Sequence, residues 1–300
     1  MSRTVLTPGN FDGVHRGHQA LVNAARRRAD ANGWRAVGMF FDPHPAAYFA
    51  PDRAPPLLTS PLRRVELLRA YGLDEVDVRR FDATFAAQSA EDFVRQVLVQ
   101  DHRVGAVVVG PDFRFGRGRA GDQELLSLLG RRLGFEVQVV PAVEVDGDVV
   151  SSTRARRLVT EGRMGEVAAL LGRPHETEGE VVRGDGRGRR IGFPTANLRL
   201  TGLAPADGVY AVAARVRGRK DTLRGVANVG TRPTFDAGRS IEVHLFDVNE
   251  DLYDEVLQVA WIERLRPEQK FASVEALLAQ LARDVEAGRR IAEERELSWI

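Results

Sequence analysis

Between residues 3 and 140 the chain alternates short β-branched runs with longer amphipathic ones, and that alternation leaves few folds open. RTVLT (3–7), RAVGMFF (35–41), EVDVRRF (75–81), VGAVVVG (104–110) and FEVQVV (135–140) read as strands. Helical periodicity fills the gaps at about 17–32, 61–71, 89–101 and 122–133. The run AVVV is apolar without alternation, as expected of a strand covered on both faces of a parallel sheet. Strand and helix in strict succession predict a doubly wound parallel-sheet α/β domain. Two short helical segments, about 153–161 and 163–171, are expected to close it.

After LGRPHETEG (171–179) the pattern changes. Glycine and proline become dense, and GVYAVAARV, LRGVANVG, SIEVHLFDV and VLQVAWIERL follow one another without helices between them. This predicts an antiparallel sheet or small β-barrel. Only the last 30 residues return to helical spacing, with Val274, Leu277, Leu278, Leu281 and Val285 along one face. The expected domains are therefore 1–174 and 175–300, and 300 residues suffice for two cores. A net charge of +1 gives no field that would favour nucleic acid or an anionic membrane. The absence of cysteine excludes disulfides, thiolate catalysis and cysteine-type zinc sites. No apolar run approaches the roughly 20 residues of a membrane helix, and MSRTVLTPGN lacks the apolar core of a signal peptide. The expectation is a soluble cytoplasmic protein.

Three stretches carry chemistry. GNFDGVHRGHQALV (9–22) is a turn between the first strand and the first helix. In open α/β sheets ligands sit at the carboxyl ends of strands, and a helix N-terminus offers free N–H groups to phosphate. Gly9, Gly13 and Gly17 permit close backbone approach, and His15 and His18 can donate to phosphate oxygens as charge builds there. A zinc reading is weaker, because zincin helices need histidines four apart with a glutamate between them. The second stretch, GEVVRGDGRGRRIGFPTANLRL (179–200), gathers five glycines around a basic loop ahead of Pro-Thr-Ala-Asn. Thr195 and Asn197 offer hard oxygens suited to Mg²⁺, against the alternatives of a solvated hairpin or an RNA-contacting loop. In the third, SIEVHL, alternation puts Ile241, Val243 and Leu245 on one face and Glu242 and His244 on the other. GRGRAG (116–121) matches a dinucleotide fingerprint only by letters.

His15-Arg-Gly-His18 resembles the His-x-Gly-His signature of the nucleotidyltransferases. VGPDFRFGRGRAG (109–121), VSSTRARRLV (150–159) and the PTAN stretch narrow the resemblance to the bacterial bifunctional riboflavin kinase/FAD synthetase family. GVYAV, ANVGTRPTF (227–235), IEVHLFD, DLYDE and LRPEQKF follow in order. The resemblance implies that the C-terminal domain phosphorylates riboflavin and the N-terminal domain adenylylates FMN, with Mg²⁺ as cofactor and ATP as co-substrate. FMN and FAD are then products, not redox cofactors. It makes His15, His18 and Glu242 catalytic, Glu242 as the base. It gives the nucleotide Gly9, Asn10, Phe11, Gly17, Asp112, Ser152, Thr153 and Arg156 in the first domain, and Gly184, Gly186, Gly188 and Arg189 in the second. Asp112, Asn197, Glu242 and Arg266 are implied for flavin, and Thr195 and Asn197 for the metal. Ala155, Val149 and Asp254 depart from the family pattern, the last replacing a usual glycine and putting the local turn in question. The expected partners are riboflavin, FMN and ATP, without nucleic acid or membrane. Protein partners are unknown, and a transient homo-oligomer is left open. Two alternatives stand beside this. One is a nucleotidyltransferase for another acceptor, such as pantetheine phosphate or nicotinate mononucleotide, against which PTAN and Glu242 argue. The other is an RNA-binding protein, against which the near-neutral charge argues.

Overall fold

The computed structural model describes residues 3–184, 186–231, 239–294 and 299. Backbone packing divides them into two compact units. One holds residues up to 55 together with 61–151, and the other holds 56–60 and the residues from 152 onward.

The first unit is built on five parallel strands, β1 (Thr4–Pro8), β2 (Arg35–Phe41), β3 (Glu75–Arg79), β4 (Val104–Val109) and β5 (Glu136–Val139). They lie in the order β3-β2-β1-β4-β5. Every residue of β1 and β4 is buried, as the unalternating AVVV run requires. Side chains alternate between two cores. Val5, Phe40, Ala106 and Val108 meet Val22, Ala25, Leu67 and Leu68 of the helices Arg16–Asn32 and Pro61–Ala70 on one face. Leu6, Met39, Val107 and Val109 meet Phe93, Leu98, Leu126 and Leu129 on the other. The sheet is thus doubly wound. The chain steps outward from β1 to β2 and β3, then returns to place β4 on the opposite side of β1. The carboxyl ends of β1 and β4 therefore flank the point where the winding reverses, which is where such sheets take ligands. The short helices Pro45–Phe49 and Ala83–Ala87, and the ribbon of β6 (Glu144–Val145) and β7 (Asp148–Val149), were not anticipated by periodicity because each is too short to show one. GRGRAG forms a single turn, Arg117–Arg119, and opens no long helix.

In the second unit the helices Ser152–Glu161 and Met164–Leu171 bury Leu158, Val159, Met164, Val167, Leu170 and Leu171. Their packing places this helical pair with the second unit, although the change of sequence pattern comes after it. Six antiparallel strands follow: β8 (His175–Val182), β9 (Ala196–Thr201), β10 (Gly208–Val216), β11 (Leu223–Thr231), β12 (Arg239–Leu245) and β13 (Val256–Arg266). They close a barrel in the order β10-β11-β12-β9-β8-β13. Trp261 and Tyr210 lie fully buried, ring edge to ring face at 5.4 Å. The indole Nε1 donates to Thr177 Oγ1 at 2.9 Å and the phenol to the Ala206 carbonyl at 2.7 Å, so neither polar tip is stranded. Burial pushes the Tyr210 phenol up to about 12. The C-terminal helix is Val274–Glu294. The expected face departs only at its first turn, where Val274 is 56% exposed; Leu277, Leu278, Leu281 and Val285 are half-buried, and the face runs on through the buried Asp284, Gly288 and Ile291. Val285 packs against Val209, Val226 and Phe246.

Asp254, where the family pattern has glycine, adopts φ +64° and donates its N–H to the Val181 carbonyl at 3.0 Å. The turn is therefore made, in a region that aspartate tolerates better than most residues. Asp254→Val is expected to destabilise by about 1–2 kcal/mol, whereas Asp254→Gly should hold or raise the urea midpoint. A midpoint for the valine variant equal to wild type would contradict this.

Candidate active sites

The first site begins where β1 ends. Residues 9–15 make a tight turn in which Phe11, Gly13 and Val14 take φ of +52°, +83° and +41°. A β-branched residue in that region is an outlier, and each such non-glycine residue costs on the order of 1–3 kcal/mol. The turn delivers His15 as the cap of the helix Arg16–Asn32. His15 Nδ1 accepts the backbone N–H of His18 at 3.3 Å. That bond engages the Nδ1 lone pair, so the neutral ring carries its proton on Nε2 and presents a donor. The two imidazoles stack at 3.6 Å, 16° from parallel, and Phe11 meets His18 edge-on at 5.2 Å. An added Cβ on Gly17 would lie 3.2 Å from the His15 ring and 3.8 Å from the Val150 carbonyl, so a larger residue would push the ring by a few tenths of an ångström. His18 Nδ1 is buried without a hydrogen-bond partner. Burial, and then the charges of His15 and Arg64, hold its imidazole well below the usual histidine value.

Gly9, Asn10 and Asp112 follow the carboxyl ends of β1 and β4. Gly9 N–H donates to the Met39 carbonyl at 3.0 Å, and the Asn10 carbonyl accepts from Arg64 at 2.9 Å. Asp112 is exposed just past β4, with its Oδ1 3.5 Å from an added Cβ on Gly110. Ser152, Thr153 and Arg156 lie on the helix Ser152–Glu161, which packs with the second unit, where Arg156 Nε donates to the Pro56 carbonyl at 2.8 Å. Sequence reasoning missed Arg64. It is 1% exposed and pairs with the equally buried Asp12 at 3.3 Å. Its spacing with Leu67 and Leu68, three and four residues on, is a core spacing. An arginine at such a position is the signal that could have found it.

The second site is assembled on the barrel. Asn197 pairs with Glu242 across β9 and β12, and Asn228 faces Glu242 from β11. The Thr195 hydroxyl lies 3.4 Å from Glu242 Oε2, and that of Ser240 lies 3.4 Å from Oε1. These long contacts hold the carboxylate loosely and leave its lone pairs available to a stronger donor. Ile241, Val243 and Leu245 are buried while Glu242 and His244 are half-buried, so the predicted alternation is the observed one. His244 Nδ1 lies 2.8 Å from the Pro194 carbonyl, tying the PTAN turn to β12. The glycine loop is fitted closely to this turn. An added Cβ on Gly184 would fall 2.2 Å from Asn197 Nδ2, and one on Gly188 would fall 2.3 Å from the Phe193 carbonyl. Gly186 caps the turn Arg187–Arg190 that holds Gly188 and Arg189, and Arg189 lines a pocket with Thr195, Leu245 and Tyr253. Residues 232–235 of the ANVGTRPTF block lie outside the described residues. Arg266 is engaged by the buried Asp284, with Nε and Nη2 within 2.7–3.1 Å of its carboxylate.

Thr195, Asn197 and Glu242 present a hydroxyl, an amide oxygen and a carboxylate, all hard donors. Among the described residues no group of three or more His, Cys, Asp or Glu is arranged to hold an ion. This donor set fits Mg²⁺, which keeps water and phosphate oxygens and needs few protein ligands.

Two family models match the chain in order, FAD synthetase over residues 1–154 and riboflavin kinase over 171–292. The Escherichia coli K12 bifunctional riboflavin kinase/FMN adenylyltransferase is 44% identical over 93% of this chain and 90% of its own. The chain belongs to the bifunctional riboflavin kinase/FMN adenylyltransferase family. A second family member, from Pseudomonas fluorescens, is 40% identical over 96% of this chain and 93% of its own. A Streptococcus pneumoniae crystal structure described as a macrolide-efflux protein superposes with a TM-score of 0.86 at 35% identity, covering 96% of this chain and 94% of that one. Among the described residues here, no helix is long and apolar enough to cross a membrane. The FAD synthetase match holds His15, His18 and Asp112, and the riboflavin kinase match holds Gly184, Thr195, Asn197, Glu242 and Arg266.

The depressed His18 value sets a pH dependence. Below the unfolded histidine value of roughly 6.5, the unfolded chain takes a proton that the folded imidazole refuses. The stability associated with neutral His18 is full above that pH and falls as pH drops from it toward the lower folded value. Urea midpoints between about pH 7 and about pH 5 should therefore decline less steeply for His18→Gln than for wild type. Parallel slopes would contradict the assignment.

Proposed function

We propose that the chain makes FAD in two consecutive steps, one in each matched region. Riboflavin and ATP give FMN and ADP in the C-terminal region. FMN and ATP then give FAD and pyrophosphate in the N-terminal one. The functional boundary is placed at 174/175. The observation that carries this reading is the occurrence in one chain of a stacked histidine pair at a helix mouth and a strand glutamate facing a threonine and an asparagine.

In the kinase step Glu242 accepts the proton of the ribityl 5′-hydroxyl as that oxygen attacks the γ-phosphorus. Thr195 and Asn197 would hold Mg²⁺, which supplies charge neutralisation along the phosphates. Gly184, Gly186, Gly188 and Arg189 cover the phosphate chain with backbone N–H groups and one guanidinium. Asn197 and Glu242 also border the flavin, and Arg266 supports that border through its pairing with Asp284. In the adenylylation step an FMN phosphate oxygen attacks the α-phosphorus and pyrophosphate leaves. His15 Nε2–H and His18 donate to the oxygens on which charge accumulates, at the positive end of the helix dipole. Gly9, Asn10, Phe11 and Gly17 shape the seat, Ser152, Thr153 and Arg156 bind the triphosphate, and Asp112 borders nucleotide and flavin. Neither step needs a covalent intermediate, so orientation and electrostatics supply the rate. We place the enzyme in the cytoplasm.

The two defects are separable. His15→Ala should lower FAD formation by about 10²–10³ while FMN still accumulates from riboflavin. Glu242→Gln should lower FMN formation by about 10²–10⁴ while supplied FMN is still converted to FAD. Chromatographic resolution of the three flavins measures both. Loss of both products in either variant would contradict the separation.

A further inference from the structure

We propose that Arg64 is a positioning residue for adenylyl transfer: from the helix Pro61–Ala70 it fixes the Asn10–Asp12 turn, and through it the His15–His18 pair. The inference rests on the adenylylation reading of that site and adds a residue outside every motif that led to it. Arg64 and Asp12 are each 1% exposed. Burying a guanidinium is expensive unless its donors are satisfied, and a leucine would fill an apolar position more cheaply. What the arginine adds is direction. Nη1 donates to the Asn10 carbonyl at 2.9 Å, Nη2 to Asp12 Oδ1 at 3.3 Å, and the guanidinium lies 4.7 Å from the centre of the Phe40 ring. Two of its bonds therefore land on the residues either side of Phe11.

Phe11 is the lever. Its backbone sits at φ +52°, which a phenylalanine leaves unless its neighbours are held. Its ring meets His18 edge-on at 5.2 Å, and His18 stacks on His15 at 3.6 Å. Force is thus relayed from Arg64 to Asn10 and Asp12, to the Phe11 ring, and then to both imidazoles, each link a contact of van der Waals or hydrogen-bond length. The guanidinium charge has a second effect on the same pair: together with burial and the charge of His15, it disfavours protonation of His18. Position and charge can be separated by substitution. Lysine keeps the charge but cannot reach both acceptors from one ammonium, and methionine removes charge and bonds while filling the volume.

The experiment uses the full-length protein as Arg64→Lys and Arg64→Met, with riboflavin phosphorylation as the internal measure of folding. Both variants should retain that rate and lose FAD formation from supplied FMN, by about 10²-fold where the imidazoles are displaced by an ångström. In NMR spectra the His15 and His18 ring signals should shift in both variants as the stack loosens. The His18 titration should move upward in the methionine variant and stay low in the lysine variant. FAD formation within about twofold of wild type in both would overturn the proposal, as would lost FAD formation with unmoved imidazole signals. If the methionine variant also loses kinase activity, the lysine variant decides alone. The ring signals report the pair whether or not wild type makes FAD, so a failure of the adenylylation reading is seen separately, as wild type that makes none.

Discussion

The first turn of the helix Arg16–Asn32 has N–H groups that no helical carbonyl can satisfy, and the first site is arranged around that constraint. His15 takes one of them, from His18, and by doing so fixes its own tautomer. In the neutral ring that results the proton sits on Nε2, the nitrogen the cap does not use. The chain reaches this cap only through backbone conformations that phenylalanine and valine rarely adopt, and it tolerates them because both are fully buried and locked in place. Strain, cap and stacked imidazoles are consequences of one turn.

The barrel solves a different problem. A carboxylate that must accept a proton needs to be fixed in place yet weakly engaged. β12 supplies the place through its pairing with β9 and β11, and the hydroxyls of Thr195 and Ser240 approach the Glu242 oxygens only to 3.4 Å. The PTAN turn is held to the same strand by His244. Gly184 and Gly188 press against it so closely that a single methyl would collide. The phosphate seat at a helix mouth and the base on a strand are thus separate devices, each suited to one half of the chemistry.

Much of this was legible in the sequence because it is carried by periodicity and local chemistry. The unalternating AVVV run marks the buried strand β4, the IEVHL alternation puts Glu242 on the polar face, and β10 to β13 of the barrel are legible to within three residues, whereas β8 and β9 are not. What was not legible depends on long-range packing. Arg64 looks like one of many arginines until its helix is docked, and only the fold brings it to Asn10 and Asp12. The partner of Arg266, Asp284, is likewise eighteen residues away on another element. The helical pair 152–171 follows the alternating pattern in sequence but buries its apolar face in the second unit. Asp254 breaks a glycine position without breaking the turn, because aspartate can occupy the same left-handed conformation.

Two linked reactions are assigned to one chain. The most direct measurement is a time course of the purified protein with riboflavin, ATP and Mg²⁺, with flavins separated by chromatography. The expected result is FMN that rises first and then declines as FAD accumulates. Absence of any phosphorylated flavin, or FMN that accumulates without conversion to FAD under saturating ATP, would contradict it.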